Sequence, residues 1–331
     1  DHIYRNVLNG VTNTLNIFTT YNLNLKQDHA FKFMLGMNRV TYDGKNNWSQ
    51  QTDLADITNP QFGKAVGTMT SGGNTYWDAQ LGYFGRINYA LKNRYLLEGS
   101  LRYDGSSKFP SRLWWRFFPS VSAGWMITEE PWMEWIQPTV SWMKIRGSWG
   151  VIGDQSVPSG LYSPSMTTTQ TMWLDGTAKT VAVGTPSAIT RDITWQDLEN
   201  ANLGLDLRFF NNALGVTFDV FRRDTKNMIV PGEGVSLTFG AGAPKGNFGS
   251  MRTEGWDLSV DYKHTFDNGL GISLMGTMSD AVTTILKYGD TQSVDGWYEG
   301  KKYGEIWGYR TDRLYQESDF VLDANGNPER I

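Results

Sequence analysis

The chain of 331 residues contains no cysteine. Disulfides and thiolate nucleophiles are therefore excluded, and a zinc site loses its commonest ligand. Histidine is scarce: His2, His29 and His264 are the only three. His29 falls in a polar turn and His264 on an apolar-phased position near a strand end. Neither lies in a Ser-His-Asp or metal-ligand pattern, so neither an enzyme nor a bound cofactor is expected. No apolar run approaches the roughly 18 residues of a membrane-spanning helix. The net charge of −4 supplies no basic field, so nucleic acid is not an expected partner. The opening Asp1-His2-Ile3-Tyr4 lacks the basic and apolar regions of a signal peptide, and the last residues read as a loop. Both ends predict an internal piece of a longer protein.

Aromatic residues, by contrast, reach 14%, with 14 Trp, and there are 36 Gly. Two interfacial girdles of a membrane barrel use such a composition; a soluble globule rarely does. The pattern of residues 81–103 agrees. Leu81, Tyr83, Ile87, Tyr89 and Leu91 alternate with Gln80, Gly82, Arg86 and Asn88. After a polar turn at Lys92-Asn93-Arg94, Tyr95, Leu97, Leu101 and Tyr103 alternate with Glu98, Ser100 and Arg102. Period two is a strand. Charges on one face and aromatics on the other predict a transmembrane β-hairpin. Phe84 and Leu96 are out of phase.

The same alternation predicts strands over 14–26, 31–38, 117–128, 144–152, 199–210, 213–223, 255–266 and 270–279. Val121, Ala123, Trp125 and Ile127 are expected to point outward, and Leu205, Val216 and Leu274 likewise. Residues 43–78 read as a polar loop with a helical piece at 49–57. Residues 104–116, 153–197 and 224–252 read as further long loops. Residues 129–143 read as a short helical connector, and 301–309 as extended. Short turns at 27–29, 92–94, 211–212 and 267–269 alternate with the long loops. This is the pattern of outer-membrane barrels, with short periplasmic turns and long extracellular loops.

Keeping apolar faces together fixes each turn's length modulo two. Phe209 opposite Leu214 requires an even loop, and Asn211-Asn212 suits a type I′ turn. His264 opposite Ile272, and Tyr262 opposite Leu274, require an odd one. Asp267-Asn268-Gly269 then puts Gly in the left-handed position. The Lys92-Asn93-Arg94 turn places Arg86 beside Ser100 and diagonal to Glu98 as a lumen ion pair.

Several stretches in order carry a family resemblance. They include Tyr83-Phe84-Gly85-Arg86-Ile87-Asn88-Tyr89, Arg102-Tyr103-Asp104-Gly105-Ser106-Ser107-Lys108-Phe109 and Phe118-Pro119-Ser120-Val121-Ser122-Ala123-Gly124-Trp125. Lys144-Ile145-Arg146-Gly147-Ser148-Trp149-Gly150, Asn202-Leu203-Gly204-Leu205-Asp206 and Asp219-Val220-Phe221-Arg222-Arg223-Asp224-Thr225 follow. Asn247-Phe248-Gly249-Ser250-Met251, with Gly255, completes the set. Together they resemble the SusC/RagA family of TonB-dependent outer-membrane transporters of the Bacteroidetes. Asp154, and Thr253-Glu254 before Gly255, depart from the family's usual residues. The resemblance implies that 1–331 is part of one all-β TonB-dependent-receptor barrel domain. About ten strands are present, without the plug or the C-terminal strands of the large plugged barrel. It also implies a SusD-like surface lipoprotein, the TonB complex and outer-membrane lipid as partners, and uptake of an oligosaccharide or peptide. A passive porin or adhesin barrel, and a soluble β-rich domain, are the alternatives.

The candidate site follows from the polar phase. Arg86, Glu98, Arg102, Arg146, Asp206, Arg208 and Asp219 are expected to face the lumen. Trp114, Trp115 and Trp173 in long loops are candidate ligand contacts, with girdle or loop packing as the competing role. Asp323-Ala324-Asn325-Gly326-Asn327 has some of a calcium loop's residues but a misplaced Gly, and reads as a plain polar loop.

Overall fold

Period-two alternation pays off in hydrogen bonds only when each strand finds a neighbour, and in the computed structural model each does. Residues 1–26, 28–175, 178–289, 296–322 and 328–330 are described. The main strands are β1 His2–Leu25, β2 His29–Thr52, β3 Met69–Leu91, β4 Tyr95–Ser106, β5 Trp115–Met126 and β6 Val140–Asp154. They continue with β7 Thr168–Asp175, β8 Ala178–Val183, β9 Gln196–Phe209, β10 Leu214–Pro231, β11 Lys245–Thr265 and β12 Gly271–Lys287. Ten of them form one antiparallel sheet in the order β1-β2-β3-β4-β5-β6-β9-β10-β11-β12. β7 and β8 pair with each other outside it. The sheet is open, with β1 and β12 at its edges.

The register sorts the side chains into two faces. Lys32, Asn88, Glu98, Ser122, Ser148 and Asn202 lie opposite one another across six strands. One residue along, Phe31, Tyr89, Leu97, Ala123, Gly147 and Leu203 form the neighbouring row. The first row lies on the polar face and the second on the apolar one, because successive side chains point to opposite sides. Trp125, Leu205, Val216 and Leu274 fall on the apolar face, as their phase predicts.

Rings on that face stack near both ends of the strands. Phe31–Tyr89 (4.6 Å) and Tyr95–Trp125 (6.3 Å) lie near the short turns. Tyr103–Phe117 (4.3 Å) and Tyr103–Trp115 (4.9 Å) lie toward the other end. Tyr95 and Tyr103 share β4, and at ~3.4 Å per residue they stand roughly 27 Å apart. The apolar band of a membrane barrel is about 25 Å tall.

The turns have the expected parity. Leu91 pairs with Tyr95 across Lys92-Asn93-Arg94, and Arg86 lies opposite Ser100. Phe209 pairs with Leu214. The even loop is the four residues Phe210–Ala213 and not the expected two-residue type I′ turn: Phe210, Asn211 and Asn212 have φ of 52°, 54° and 68°, the Phe210 N–H donates to Thr139 O at 3.0 Å, and the Ala213 N–H donates to Phe210 O at 3.1 Å. His264 pairs with Ile272, and Gly269 at φ 84° closes the three-residue turn.

The strands run much further than the alternation predicts. β1 and β2 are 24 residues each, about 80 Å at ~3.4 Å per residue. The 43–78 loop therefore shrinks to 53–68, and its helical piece at 49–57 is instead the end of β2 and the turn after it. One short 3-10 turn, Phe62–Lys64, is all the helix there. Likewise β10 continues through Pro231 and β11 starts at Lys245, inside the predicted 224–252 loop. Beyond the apolar band no single pair of solvents enforces alternation. In β10, Asp224, Thr225 and Val230 are buried, and Arg252 of β11 donates to Asp224 at 2.6 Å, so loop packing and ion pairs join the backbone ladder in holding these ends. The 153–197 loop contains the β7–β8 hairpin. His29 belongs to β2, paired with Leu25, and not to the preceding turn. β5 ends at Met126, and Ile127 turns inward in a short 3-10 helix, buried instead of outward. Residues 301–309 form no strand; only an isolated bridge joins Lys302 to Thr284. Residues 323–327 lie outside the described residues.

A wall one sheet thick buries little. The largest buried cluster, Phe109, Phe118, Val157, Ile193 and Trp195, sits where the long loops meet, backed by Val151, Leu161 and Ile229.

Candidate functional site: the polar face

The seven charged residues picked from the polar phase share the polar face, each placed there by the ladder register. Arg86 Nε lies 3.6 Å from Glu98 Oε1, the diagonal pair expected across β3 and β4, and Asn88 donates to the same carboxylate. Arg102 donates to Asp104, two residues along β4, at 3.0 and 2.9 Å. Arg146 donates to Asp206 at 3.0 Å and to Asp219 at 2.6 Å, joining β6, β9 and β10. Arg208 donates to both oxygens of Asp261 at 2.9 and 2.7 Å, reaching from β9 over β10 to β11. All remain partly exposed, so each is worth about 1 kcal/mol or less. Their larger contribution is to hold guanidinium groups in fixed positions on the wall.

Glycine makes these bridges possible. A Cβ on Gly204 would meet Arg146 Cζ at 2.5 Å and Asp219 Oδ1 at 2.7 Å. One on Gly215 would meet Arg208 Nη1 at 2.0 Å, and one on Gly82 would meet Asp104 Oδ1 at 2.1 Å. Each of these three bridges passes over a strand position with no side chain. Phe84, out of phase in sequence, also finds its place here. It lies over Gly36, whose Cβ would meet its ring at 2.5 Å, with the Arg102 guanidinium 5.5 Å from its centroid.

Toward the short turns the polar face forms a trough of about 660 Å³, lined by Asn22, Lys32, Asn88, Glu98, Lys144 and Arg146 among others. Its amide and cationic donors, with the Glu98 carboxylate, suit a polar solute or polar protein surface.

The loop tryptophans are held by their neighbours. Trp114 Nε1 donates to Phe109 O at 2.6 Å, and its own carbonyl accepts from Trp195 Nε1 at 3.0 Å. Trp115 opens β5 and stacks on Tyr103 at 4.9 Å and Tyr83 at 6.1 Å. Trp173 falls in β7, its side chain outside the described residues. His29 Nδ1 is 2.9 Å from the Tyr89 hydroxyl, and His264 meets Phe266 edge-on. Among the described residues no group of three or more His, Asp or Glu gathers to hold a metal.

Sequence reasoning missed Asp261 as the partner of Arg208, because the pair skips a strand. It also missed Asp197 and Glu130, both buried. Asp197 accepts from Arg116 at 2.8 Å and Asn227 at 2.6 Å, tying the start of β9, where the preceding loop ends, to β5 and β10. Asn247 holds that loop through Thr194 N–H and Thr194 O, both at 2.9 Å.

Residues 2–321 match the family model described as TonB dependent receptor-like, beta-barrel. The TonB-dependent receptor SusC of Bacteroides thetaiotaomicron is 31% identical over 265 residues, covering 74% of this chain and 26% of that protein. The TonB-dependent receptor P39 of Formosa agariphila is 26% identical over 257 residues, covering 75% and 24%. The chain thus spans about a quarter of the length of these curated relatives. Among solved structures, the RagAB peptide importer in its closed-closed state superposes with a TM-score of 0.74 at 20% identity, covering 99% of this chain and 37% of that one. That likeness is one of fold.

Proposed function

The chain belongs to the TonB-dependent receptor-like β-barrel family, and from that premise we propose that it forms part of the wall of an outer-membrane importer of a large nutrient, an oligosaccharide or a peptide. The observation that carries the reading is the division of one sheet into two faces. The face with stacked rings at both borders of a ~25 Å band suits lipid. The opposite face, with Arg86, Glu98, Arg102, Arg146, Asp206, Arg208 and Asp219 held by ion pairs and hydrogen bonds, suits a wet lumen. In this reading the short turns are periplasmic and the 107–114 and 155–195 loops lie at the cell surface. Trp114 and Trp115, engaged by Phe109 and Tyr103, serve loop packing and the rim rather than the solute.

A barrel wide enough for such a solute needs a plug, since an open lumen of that class would leak. Moving the plug takes energy, which TonB supplies through a segment outside this chain. A SusD-like surface lipoprotein covers the mouth. Relationship to SusC supports the energised class.

Growth on a glycan or a peptide as sole nutrient tests this, with the full-length gene intact, deleted, or lacking its TonB-contacting segment. Growth is expected only with the intact gene. Normal uptake after removal of that segment overturns energised import and leaves a passive barrel.

A further inference from the structure

At the short-turn end β5 and β6 are joined by a longer link, residues 127–139, built of two 3-10 helices, Ile127–Glu129 and Pro131–Ile136. The second helix turns Met133 inward and leaves Trp132 and Trp135 58% and 76% exposed. Residues three apart eclipse on a 3-10 helix, so both indoles leave on one side. The link is drawn against the apolar face of the sheet. Glu130 accepts from the Tyr95 hydroxyl at 2.5 Å and from Trp125 Nε1 at 3.0 Å, both apolar-face residues at the lower ring border. Arg94, from the neighbouring turn, lies 3.6 Å from the same carboxylate. The Trp132 ring lies 6.3 Å from that of Trp125, so the exposed indoles continue the aromatic border. Glu129 and Glu134 flank them, exposed, and residues 127–139 contain no Lys or Arg.

We propose that residues 127–139 are a membrane-surface anchor. Trp132 and Trp135 lie in the headgroup layer of the leaflet at the short-turn end, and Glu129 and Glu134 face the ammonium groups of phosphatidylethanolamine. Indoles favour that layer because one edge is apolar and the N–H is not. The acidic flanks select the ammonium headgroup over anionic lipid. The tie through Glu130 transmits the anchor's depth to β4 and β5 and so fixes how far the wall sits in the bilayer. The inference goes beyond the proposed function and rests on it only for the presence of a bilayer.

The test uses the full-length receptor reconstituted in phosphatidylethanolamine and phosphatidylcholine vesicles. The lipid chains carry bromine either near the headgroup or near the chain end. The readout is the tryptophan emission of the wild type minus that of a Trp132→Phe/Trp135→Phe variant. Phe keeps the apolar body, and heat-modified migration on gels verifies that the variant is folded. The difference emission is expected to be lost with shallow bromine, largely kept with deep bromine and kept with aqueous iodide. Exchanging phosphatidylethanolamine for phosphatidylglycerol is expected to reduce the loss. A difference emission quenched by iodide and untouched by bromine overturns the anchor and leaves a surface for a periplasmic protein. If the total emission of both proteins ignores bromine at either depth, the wall reading falls as well.

Discussion

The two faces of this sheet are built from the same strands, yet they are held by different forces. On the polar face, guanidinium groups reach across strands to carboxylates: Arg146 to Asp206 and Asp219, and Arg208 to Asp261. On the apolar face the cross-strand contacts are ring on ring, such as Tyr103 with Trp115 and Phe117. Charged pairs have directional partners, so they specify register strand by strand. Ring pairs tolerate sliding, and on their side the surrounding solvent does most of the sorting. A one-residue slip would send every guanidinium to the ring face, and this penalty is what locks the two sets together.

The strongest way to break the comparison is to put a charge on the wrong face. Leu205 lies on the apolar face between Ile145 and Phe218, and Ser259 on the polar face between Thr217 and Thr277. Leu205→Arg is expected to cost about 2–4 kcal/mol in folding titrations into lipid vesicles, and Ser259→Arg little. Equal tolerance would remove the face assignment.

Next in size is the glycine rule. Gly215→Val forces a side chain into the Arg208–Asp261 bridge and is expected to cost about 1–3 kcal/mol by overpacking. Gly276, on the apolar face with nothing within 4 Å of a built Cβ, is the control. Gly276→Val is expected to be neutral or slightly stabilising in the same titration. A neutral Gly215→Val would show that the bridge does not need the bare strand beneath it.

Smaller again is the ring contact itself. Tyr103→Leu keeps an apolar side chain but removes two stacked pairs, an expected loss of about 0.5–1.5 kcal/mol by urea unfolding. A loss matching that of Leu205→Arg would mean that the rings, and not only the surrounding solvent, fix the apolar face.

The smallest effect is a pH dependence where the apolar face meets its connector. The Glu130 carboxyl is held below the ordinary carboxylate range, chiefly by the hydrogen bond from the Tyr95 hydroxyl and then by that from the Trp125 indole. A lowered folded value means the contribution is present at neutral pH. It fades as the pH falls below the ordinary glutamate value of about 4.3 toward the folded one. Acid unfolding in detergent should therefore be shallower for Glu130→Gln than for the wild type. Identical acid limbs would show that the carboxylate is not coupled to folding.

Most of the wall inside the apolar band was legible in the sequence, because there two solvents act on alternate residues. The Arg86–Ser100 pairing, the Arg86–Glu98 diagonal, the even loop around Asn211-Asn212 and the odd one at Asp267-Asn268-Gly269 all followed from parity. What lay outside the band was not legible. The upper parts of β2 and β10 lie beyond the ring borders, and in β10 Asp224, Thr225, Ile229 and Val230 are packed by ion pairs and by the loop cluster, so residues 43–52 and 224–231 lack the two-faced pattern that marks a strand. The Arg208–Asp261 bridge was hidden for another reason. It links strands that are not neighbours, and its sequence mark is the absence of a side chain at Gly215 between them. Glu130 lay in a connector whose value depends on two aromatic donors from other elements. Ile127 continued the outward phase of β5 in sequence, but the chain turns there and buries it.

Asp154 closes β6 directly opposite Gln196, which opens β9. Everything between them, including the β7–β8 hairpin, is an excursion that leaves the ladder and returns to the same rung. The entropy of closing such a detour rises only logarithmically, about 0.6 kcal/mol for each doubling of its length. Insertion at the β7–β8 hairpin can therefore lengthen this segment, and with it whatever the mouth of the barrel meets, while Val157, Ile193 and Trp195 stay in their cluster and each strand keeps the partner it already has.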